Sequence, residues 1–475
     1  MTRIVSQYFA AFLIVILGIF VYANSLGGDF ILDDEFLVKN NRYTKDWSFL
    51  PEIFTRDPGE GAGTLYRFYR PLCTLSYLIN FSLCGPEAKF YHLGNILLHI
   101  MASLSVFFFA LTISGKRLFS FFTGVFFVTC PLHAEAVSYI SGRADSMALL
   151  FMLLSLILYI KSLPSGNAWF YAFSLFCFIA GLFSKENAVI LPALILLYHY
   201  SFGKKLKAGR VLPFFAIIFI WIFLRFAVLR FTSPSELFDT TFIQRLPGFF
   251  AAVTGYLRLL ILPFNLRMEY GETLFGFSDP EVITGLIIFA SFVTLAAALR
   301  GKKRLFSFGM LWFWAALLPV SNIFPVGAYM AEHWLYAPSA GFFMAVSAWL
   351  AYLYEKKKRI ISVALAVVLT AFYSYLTVRQ NAYWRDPVTF YERTIRHAPG
   401  SARSYNNLAN IYYEKGDTGK AIELYEKAIE ADPGYSYAYS NLGNLYYRSG
   451  EKEKADFYYR KALKLSGKSR GKILK

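Results

Sequence analysis

Four short stretches of this chain collect the residue types that catalysis uses, and each stands at the end of an apolar run. Asp33, Asp34 and Glu35 follow the first run in "FILDDEFLVKNN" (30–41). His133, Glu135, Arg143 and Asp145 lie in "PLHAEAVSYISGRADS" (131–146), Lys185 and Glu186 in "SKEN" (184–187), and Glu332 and His333 in "VGAYMAEHWLYAPS" (326–339). An ionisable group sunk unpaired into hydrocarbon is costly, so such clusters line wet cavities. A carboxylate of the first cluster could take a proton as a general base. Arg143 and Asp145 open a helix, where free backbone N–H groups favour an anion. Arg143 is therefore expected to grip a phosphate with Asp145 as its orienting partner, and Lys185 offers a second cation. His133 and Glu135 are two apart and do not share a helix face, and their run has no zinc spacing, so no metal is expected. Each group also has an ordinary structural reading: a solvated boundary, an Arg–Asp structural pair, a snorkelling Lys, or capping residues at the mouth of a helix.

The elements that must position these groups are membrane helices. Of 475 residues, 56% are hydrophobic and 17% charged, whereas a soluble domain carries about a quarter charged. Runs at 9–26, 211–229, 282–299 and 360–378 are each long enough to cross a hydrocarbon core of about 30 Å. Sustained strand-period alternation is missing, which argues against a barrel. The expected fold is all-α, a polytopic bundle. Its eleven crossings fall at 9–26, 90–113, 118–131, 146–161, 168–183, 187–202, 211–230, 280–299, 305–320, 334–354 and 359–378. The stretch 246–263, bounded by Pro247 and Pro263 and carrying Arg258, reads as interfacial or re-entrant. "PLCTLSYLINFSL" (71–83) reads as an amphipathic helix on the membrane surface.

The formal charge of +17 does not point to nucleic acid, because it sits in the short loops "GKKLKAGR" (203–210), "RGKKR" (300–304) and "EKKKR" (355–359). Such loops read as cytoplasmic anchors. On that topology the first loop, 27–89, and all four ionisable clusters share the extracytoplasmic face. The N-terminal apolar core is too long for a signal peptide and is expected to stay as the first helix. The localisation expected is an integral, multi-pass one in a bacterial-type inner membrane or an ER-like membrane. Cys73, Cys84, Cys130 and Cys177 have no metal spacing; a Cys73–Cys84 bridge is left open for an oxidising compartment.

The character changes after Tyr383. At an offset of 34 residues Tyr405 meets Tyr439, Leu408 meets Leu442, Gly416 meets Gly450, Ala421 meets Ala455, Tyr425 meets Tyr459 and Ala428 meets Ala462. That period and those small-residue positions match tetratricopeptide repeats, in which small residues let paired helices approach and a glycine makes the turn. The domains expected are a membrane domain at 1–383 and an extracytoplasmic α-solenoid at 384–475. The solenoid would hold a half repeat followed by repeats near 402–435 and 436–469. A concave groove of this kind holds an acceptor or partner rather than performing chemistry.

The motifs "DFILDDEFLVKNN", "YRPLCTLSYLIN", "YHLGNILLHI", "PLHAEAVSYISGRAD", "GLFSKENAVILP", "FNLRMEYG" and "FPVGAYMAEHWLYAPS" occur in this order ahead of the repeats. The series resembles the transmembrane and tetratricopeptide repeat-containing family of the C-type glycosyltransferase superfamily, which includes protein O-mannosyltransferases. It departs at His333, where that family carries Arg after the Glu, and its repeat array is shorter than in animal members. The resemblance implies a polyprenyl-phosphate sugar as co-substrate, with no resident cofactor, and an acidic motif falling on Asp33 and Asp34. It further implies an inverting transfer of a sugar such as mannose to a hydroxyl, that of a protein Ser or Thr, with Asp33 or Asp34 as base. Arg143 and Lys185 would then stand near the phosphate, and His133, Glu135 and Glu332 would shape the sugar pocket. Competing readings are transfer to a glycan or lipid, a membrane scaffold that presents repeats, and a transporter. An anchor needs only one or two helices, and a transporter places its charges near mid-membrane, so both fit the sequence less well.

Overall fold

The computed structural model describes residues 7–231, 241–270, 273–322 and 328–473, with side chains described as far as residue 466. It divides into two compact units, one of residues 1–266 with 272–382, the other of residues 267–271 with 383–475. No strand occurs among the described residues.

The first unit opens with α1 (Gln7–Tyr22), the short α2 (Leu50–Thr55), α3 (Pro71–Cys84) and α4 (Ala88–Ser114). It continues through α5 (Arg117–Val128), α6 (Ala134–Ser138), α7 (Arg143–Ser165), α8 (Ala168–Ser184), α9 (Leu191–Phe202) and α10 (Ala208–Phe223). It closes with α11 (Phe242–Ile261), α12 (Pro280–Leu299), α13 (Arg304–Leu317), α14 (Tyr336–Glu355) and α15 (Arg359–Asn381). Each expected crossing coincides with helix, but their lengths differ. Among the described residues, seven helices are long and apolar enough to cross a membrane, and an eighth span forms if Arg117–Val128 and Pro131–Ser138, bent by 49°, count as one. The helix at 168–184 has 17 residues, about 26 Å at 1.5 Å per residue, and Arg304–Val320 is similarly short. The expected crossing at 187–202 begins as a 3₁₀ turn, Glu186–Ile190, before α9. The stretch read as interfacial starts earlier than its apolar run, at Phe242, because Thr241 and Gln244 form a capping box there. The part of its preceding loop at 232–240 lies outside the described residues, as do residues 323–327, which include the first two positions (326–327) of the fourth ionisable stretch.

The apolar surface of this unit is what lipid would cover. Phe20 on α1, Phe219 on α10 and Val368 on α15 are each 65% exposed or more, and an apolar ring facing hydrocarbon carries no penalty. Packing between helices relies on small residues. A Cβ built on Gly309 would lie 2.6 Å from the Gly341 carbonyl oxygen, and one on Gly341 would lie 2.5 Å from the Gly309 carbonyl oxygen. α13 and α14 therefore touch backbone to backbone. A Cys73–Cys84 bridge is excluded: both residues lie on α3, eleven positions and about 16 Å apart along one helix.

In the second unit, α16 (Pro387–His397), α17 (Ala402–Glu414), α18 (Thr418–Ala431), α19 (Ser436–Arg448) and α20 (Lys452–Ile473) alternate as paired helices. Gly416 and Gly450, 34 apart in the sequence, both take positive φ (83° and 79°) in the turns between paired helices. Ala409, Ala421, Ala428 and Ala438 are fully buried where the helices meet. The tyrosine hydroxyls repeat too: Tyr425 donates to Asn410 Oδ1 at 2.6 Å and Tyr459 to Asn444 Oδ1 at 2.8 Å. Arg267 joins this unit by donating from Nη1 to the His397 carbonyl at 2.9 Å.

The α13–α14 contact yields a test. Gly341→Val should lower stability by about 1–3 kcal/mol, read as a lower thermal midpoint in detergent, because the opposing atoms are backbone and cannot move aside.

Candidate functional site

The acidic triplet is placed by the exit from α1. Ser25 hydrogen-bonds Ser138 (2.8 Å), and the Asn381 amide donates to the Val21 carbonyl (2.9 Å) while its oxygen accepts from Ser138 (3.0 Å). The chain then turns through Leu32, whose φ of 52° is a left-handed conformation that a leucine rarely adopts. What holds it there is Asp34. Its Oδ2 accepts from the Ile31 backbone N–H at 3.1 Å, and its Oδ1 accepts from both the backbone N–H (2.8 Å) and the hydroxyl (2.5 Å) of Ser141. Asp34 is fully buried. Burial pushes its carboxyl up to about 7, the three hydrogen bonds pull the other way, and neighbouring Asp33 adds to the rise.

Asp33 behaves differently. It is half-buried, and its carboxylate has no hydrogen-bond or ion-pair partner among the described residues. Glu35 begins a single π-helical turn and is occupied at the surface by Lys39 (3.0 Å) and Asn40 (2.6 Å). The triplet thus separates into an anchored acid, an open acid and a surface partner.

The loop that carries Ser141 is fixed by an arginine. Arg143, 1% exposed, donates from Nε to Asn95 Oδ1 (2.8 Å), from Nη1 to Ser76 Oγ (3.0 Å) and Asn80 Oδ1 (2.8 Å), and from Nη2 to the Tyr91 carbonyl (3.1 Å). Its guanidinium also lies over the Tyr77 ring, 4.3 Å from the centroid. The amide nitrogen of Asn95 is within 3.1 Å of the carbonyl oxygens of Val137, Tyr139 and Ile140. Gly142 closes the turn, since a Cβ there would sit 2.4 Å from the Glu135 carbonyl oxygen.

This geometry corrects the expected Arg143–Asp145 pair. Residues two apart on a helix do not face each other, so Asp145 turns away from Arg143. It pairs with Lys185, whose Nζ lies 2.8 and 2.7 Å from the two carboxylate oxygens, with both side chains buried. Four of the five Arg143 donors are engaged by neutral oxygens, and Lys185 is engaged by Asp145, so neither stands free beside an open pocket. His133 is likewise not at an opening: fully buried, it joins the Phe127 carbonyl (3.0 Å) to Ser339 Oγ (2.9 Å).

The remaining acids find partners across the bundle. Glu135 accepts from His333 through the ring Nδ1 (2.7 Å) and the backbone N–H (3.2 Å), and His333 stays 28% exposed. Glu332 is buried and engaged. Glu186 forms a two-pronged pair with Arg70, Nη2 to Oε1 at 2.5 Å and Nε to Oε2 at 3.0 Å. Burial alone would raise its carboxyl, but the charge and hydrogen bonds of Arg70, with Lys185 beside them, outweigh that and hold it well below the usual range. Arg225, in the π-helical turn after α10, lies within the field of Glu186 and Arg70 and over the Trp221 and Phe226 rings. Its buried Nε has no hydrogen-bond partner among the described residues. Arg70, Ser141, Asn95 and Arg225 carry no signal of their own in the sequence, save that Arg70 stands before the helix-opening Pro71 in "YRPLC". No three His, Cys, Asp or Glu side chains converge into a metal-binding group among the described residues.

An all-α membrane bundle with an ionisable cluster at one end, followed by helical repeats, is the class of protein these features define. The second unit consists of tetratricopeptide repeats: families described as TPR repeat and tetratricopeptide repeat match residues 409–450, 436–469 and 390–423. Across the longer span the chain is similar to proteins named protein O-mannosyl-transferases. It is 27% identical to F38B6.6 of Caenorhabditis elegans over 86% of this chain and 61% of that one. It is 25% identical to human TMTC2 over 85% and 60%, respectively. Over 42% of this chain and 24% of the other, identity to mouse TMTC2 rises to 35%. The chain thus spans about three fifths of the length of the first two relatives. Among solved structures, ArnT from Cupriavidus metallidurans bound to undecaprenyl phosphate aligns at a TM-score of 0.40 and 13% identity, covering 95% of this chain and 75% of that one.

Two measurements test the site's construction. Because folded Asp34 holds its proton to about pH 7 while the unfolded chain releases it near pH 4, the unfolded state gains stability between those values. Thermal stability should therefore fall as pH rises from about 4 to 7, and Asp34→Asn should flatten that slope. Arg143→Lys should cost about 3 kcal/mol, because an ammonium cannot reach four separate acceptors, and should loosen the Ser141 loop to amide exchange.

Proposed function

We propose that this chain is an inverting membrane glycosyltransferase that moves a sugar, mannose by preference, from a polyprenyl-phosphate donor to a protein Ser or Thr hydroxyl on the extracytoplasmic side. The observation that carries the reading is the open carboxylate of Asp33 beside the anchored Asp34, at the end of a membrane bundle whose relatives are named protein O-mannosyl-transferases.

In the proposed reaction Asp33 takes the proton of the acceptor hydroxyl as its oxygen attacks the anomeric carbon. The bond from that carbon to the phosphate oxygen breaks, and the lipid phosphate leaves with the electron pair. A phosphate departs readily as an anion, so no carboxylic acid is needed to protonate it. Asp34 is a positioning residue that fixes the backbone from which Asp33 projects. Arg225, set beside the Arg70–Glu186 pair and with its Nε unpartnered among the described residues, supplies positive charge for the departing phosphate. Glu135 and His333 border the sugar, backed by His133 and Glu332. The repeats hold the protein acceptor in their concave face. The lipid-linked sugar is a co-substrate, and the reaction as written uses no resident cofactor.

The test is transfer of radiolabelled mannose from polyprenyl phosphate to Ser- and Thr-containing polypeptides by the purified full chain. Asp33→Asn should lose about 10²–10⁴-fold in kcat at unchanged folding. Wild-type rates in Asp33→Asn would overturn the base, and label found only in glycan or lipid would overturn the acceptor. For sidedness, a reporter active only outside the cytoplasm should be active when fused after Lys475.

A further inference from the structure

The clusters described above sit at one end of the bundle, where α1, α8 and α10 finish and α4, α7, α9 and α14 begin. At the other ends of α4, α9 and α14, with the end of α12 and the starts of α5 and α13, lies a cavity of about 560 Å³. The α4 helix has 27 residues, so the two ends are about 40 Å apart. Its walls are of two kinds. Ile113, Phe119, Leu295, Leu299 and Trp349 make an apolar side, whereas Lys116, Lys302, Lys303, Arg304 and Glu355 make the rim. The one carboxylate is already taken, by Lys116 at 2.8 Å. Lys303 is steadied by the Tyr352 ring, with Nζ 4.5 Å from its centroid, and Lys302 and Arg304 have no carboxylate partner among the described residues.

Apolar wall and cationic rim at the end of membrane helices match one ligand chemistry. We propose that this cavity binds an anionic glycerophospholipid, its phosphate held by Lys302, Lys303 and Arg304 and the start of one acyl chain laid along Leu295, Leu299 and Trp349. Cations at the membrane surface attract anionic lipid, and basic pockets between membrane helices select acidic head groups. The cavity adds shape to that attraction, since the sequence carries basic loops at this end in any case. It stands apart from Asp33 and takes no part in the transfer proposed above, so the two readings fail independently.

The test uses the full-length protein purified into nanodiscs of phosphatidylcholine with a minor share of phosphatidylglycerol, followed by native mass spectrometry of retained lipid. Wild-type protein should retain phosphatidylglycerol over phosphatidylcholine. The triple variant Lys302→Gln, Lys303→Gln, Arg304→Gln should lose that preference at least about tenfold. A matched variant, Lys204→Gln, Lys205→Gln, Lys207→Gln, changes basic residues outside the cavity and should keep it. Leu299→Trp, which fills the apolar side without touching charge, should also reduce retention. Equal loss in both triple variants would mean diffuse surface charge and overturn the site. So would undiminished retention in the first triple variant, or complete displacement of the lipid by millimolar inorganic phosphate.

Discussion

A buried guanidinium without a carboxylate is the constraint on which the rest of this site depends. Arg143 is almost wholly enclosed, and among the described residues its N–H donors meet two asparagine oxygens, a serine hydroxyl and a backbone carbonyl, with the face of Tyr77 below. Desolvating a cation is costly unless its donors are satisfied, and here the planar fork reaches acceptors on α3 and α4 at once from the start of α7. The turn carrying Ser141 is thereby tied to two other helices. Ser141 then holds Asp34, and Asp34 holds the strained backbone at Leu32. Asp33 inherits its position from that series of contacts, its carboxylate having no partner of its own among the described residues.

The charges around it are arranged by the same logic. Asp145 with Lys185 and Glu186 with Arg70 form ion pairs near the bundle's end, and Glu135 is hydrogen-bonded by His333. Three acids are thus engaged by side chains from other parts of the chain, whereas Asp33 has no such partner among the described residues. A proton acceptor must be accessible and a scaffold acid must not, and half-buried Asp33 and fully buried Asp34 divide those tasks between adjacent positions. The opposite end of the bundle carries basic loops and an amphipathic cavity, so the two ends offer different chemistries to whatever lies beside them.

Much of this was legible in the sequence, and for identifiable reasons. The repeats announce themselves because a period of 34 residues brings Gly416 onto Gly450 and Tyr425 onto Tyr459, and the positive φ at both glycines is the physical cause. The helices follow from apolar runs, although the shorter ones at 168–184 and 304–320 fall below a full span. Clustering of ionisable groups at one end follows from alternation. Pairing does not. Asp34 meets Ser141 across 107 positions, and Glu135 meets His333 across 198; no local pattern encodes either. The expected Arg143–Asp145 pair fails on helix geometry, and Lys185 reaches Asp145 only because α8 folds back along α7.

The most direct measurement of the account is a structure of the full-length protein with a non-transferable polyprenyl-phosphonate sugar bound. The anomeric carbon is expected to face the Asp33 carboxylate across the space of one hydroxyl group. Asp34 should still be closed on Ser141, and the phosphonate should lie on the side of Arg70 and Arg225. A phosphonate seated at the other end of the bundle, or an anomeric carbon turned away from Asp33, would contradict it.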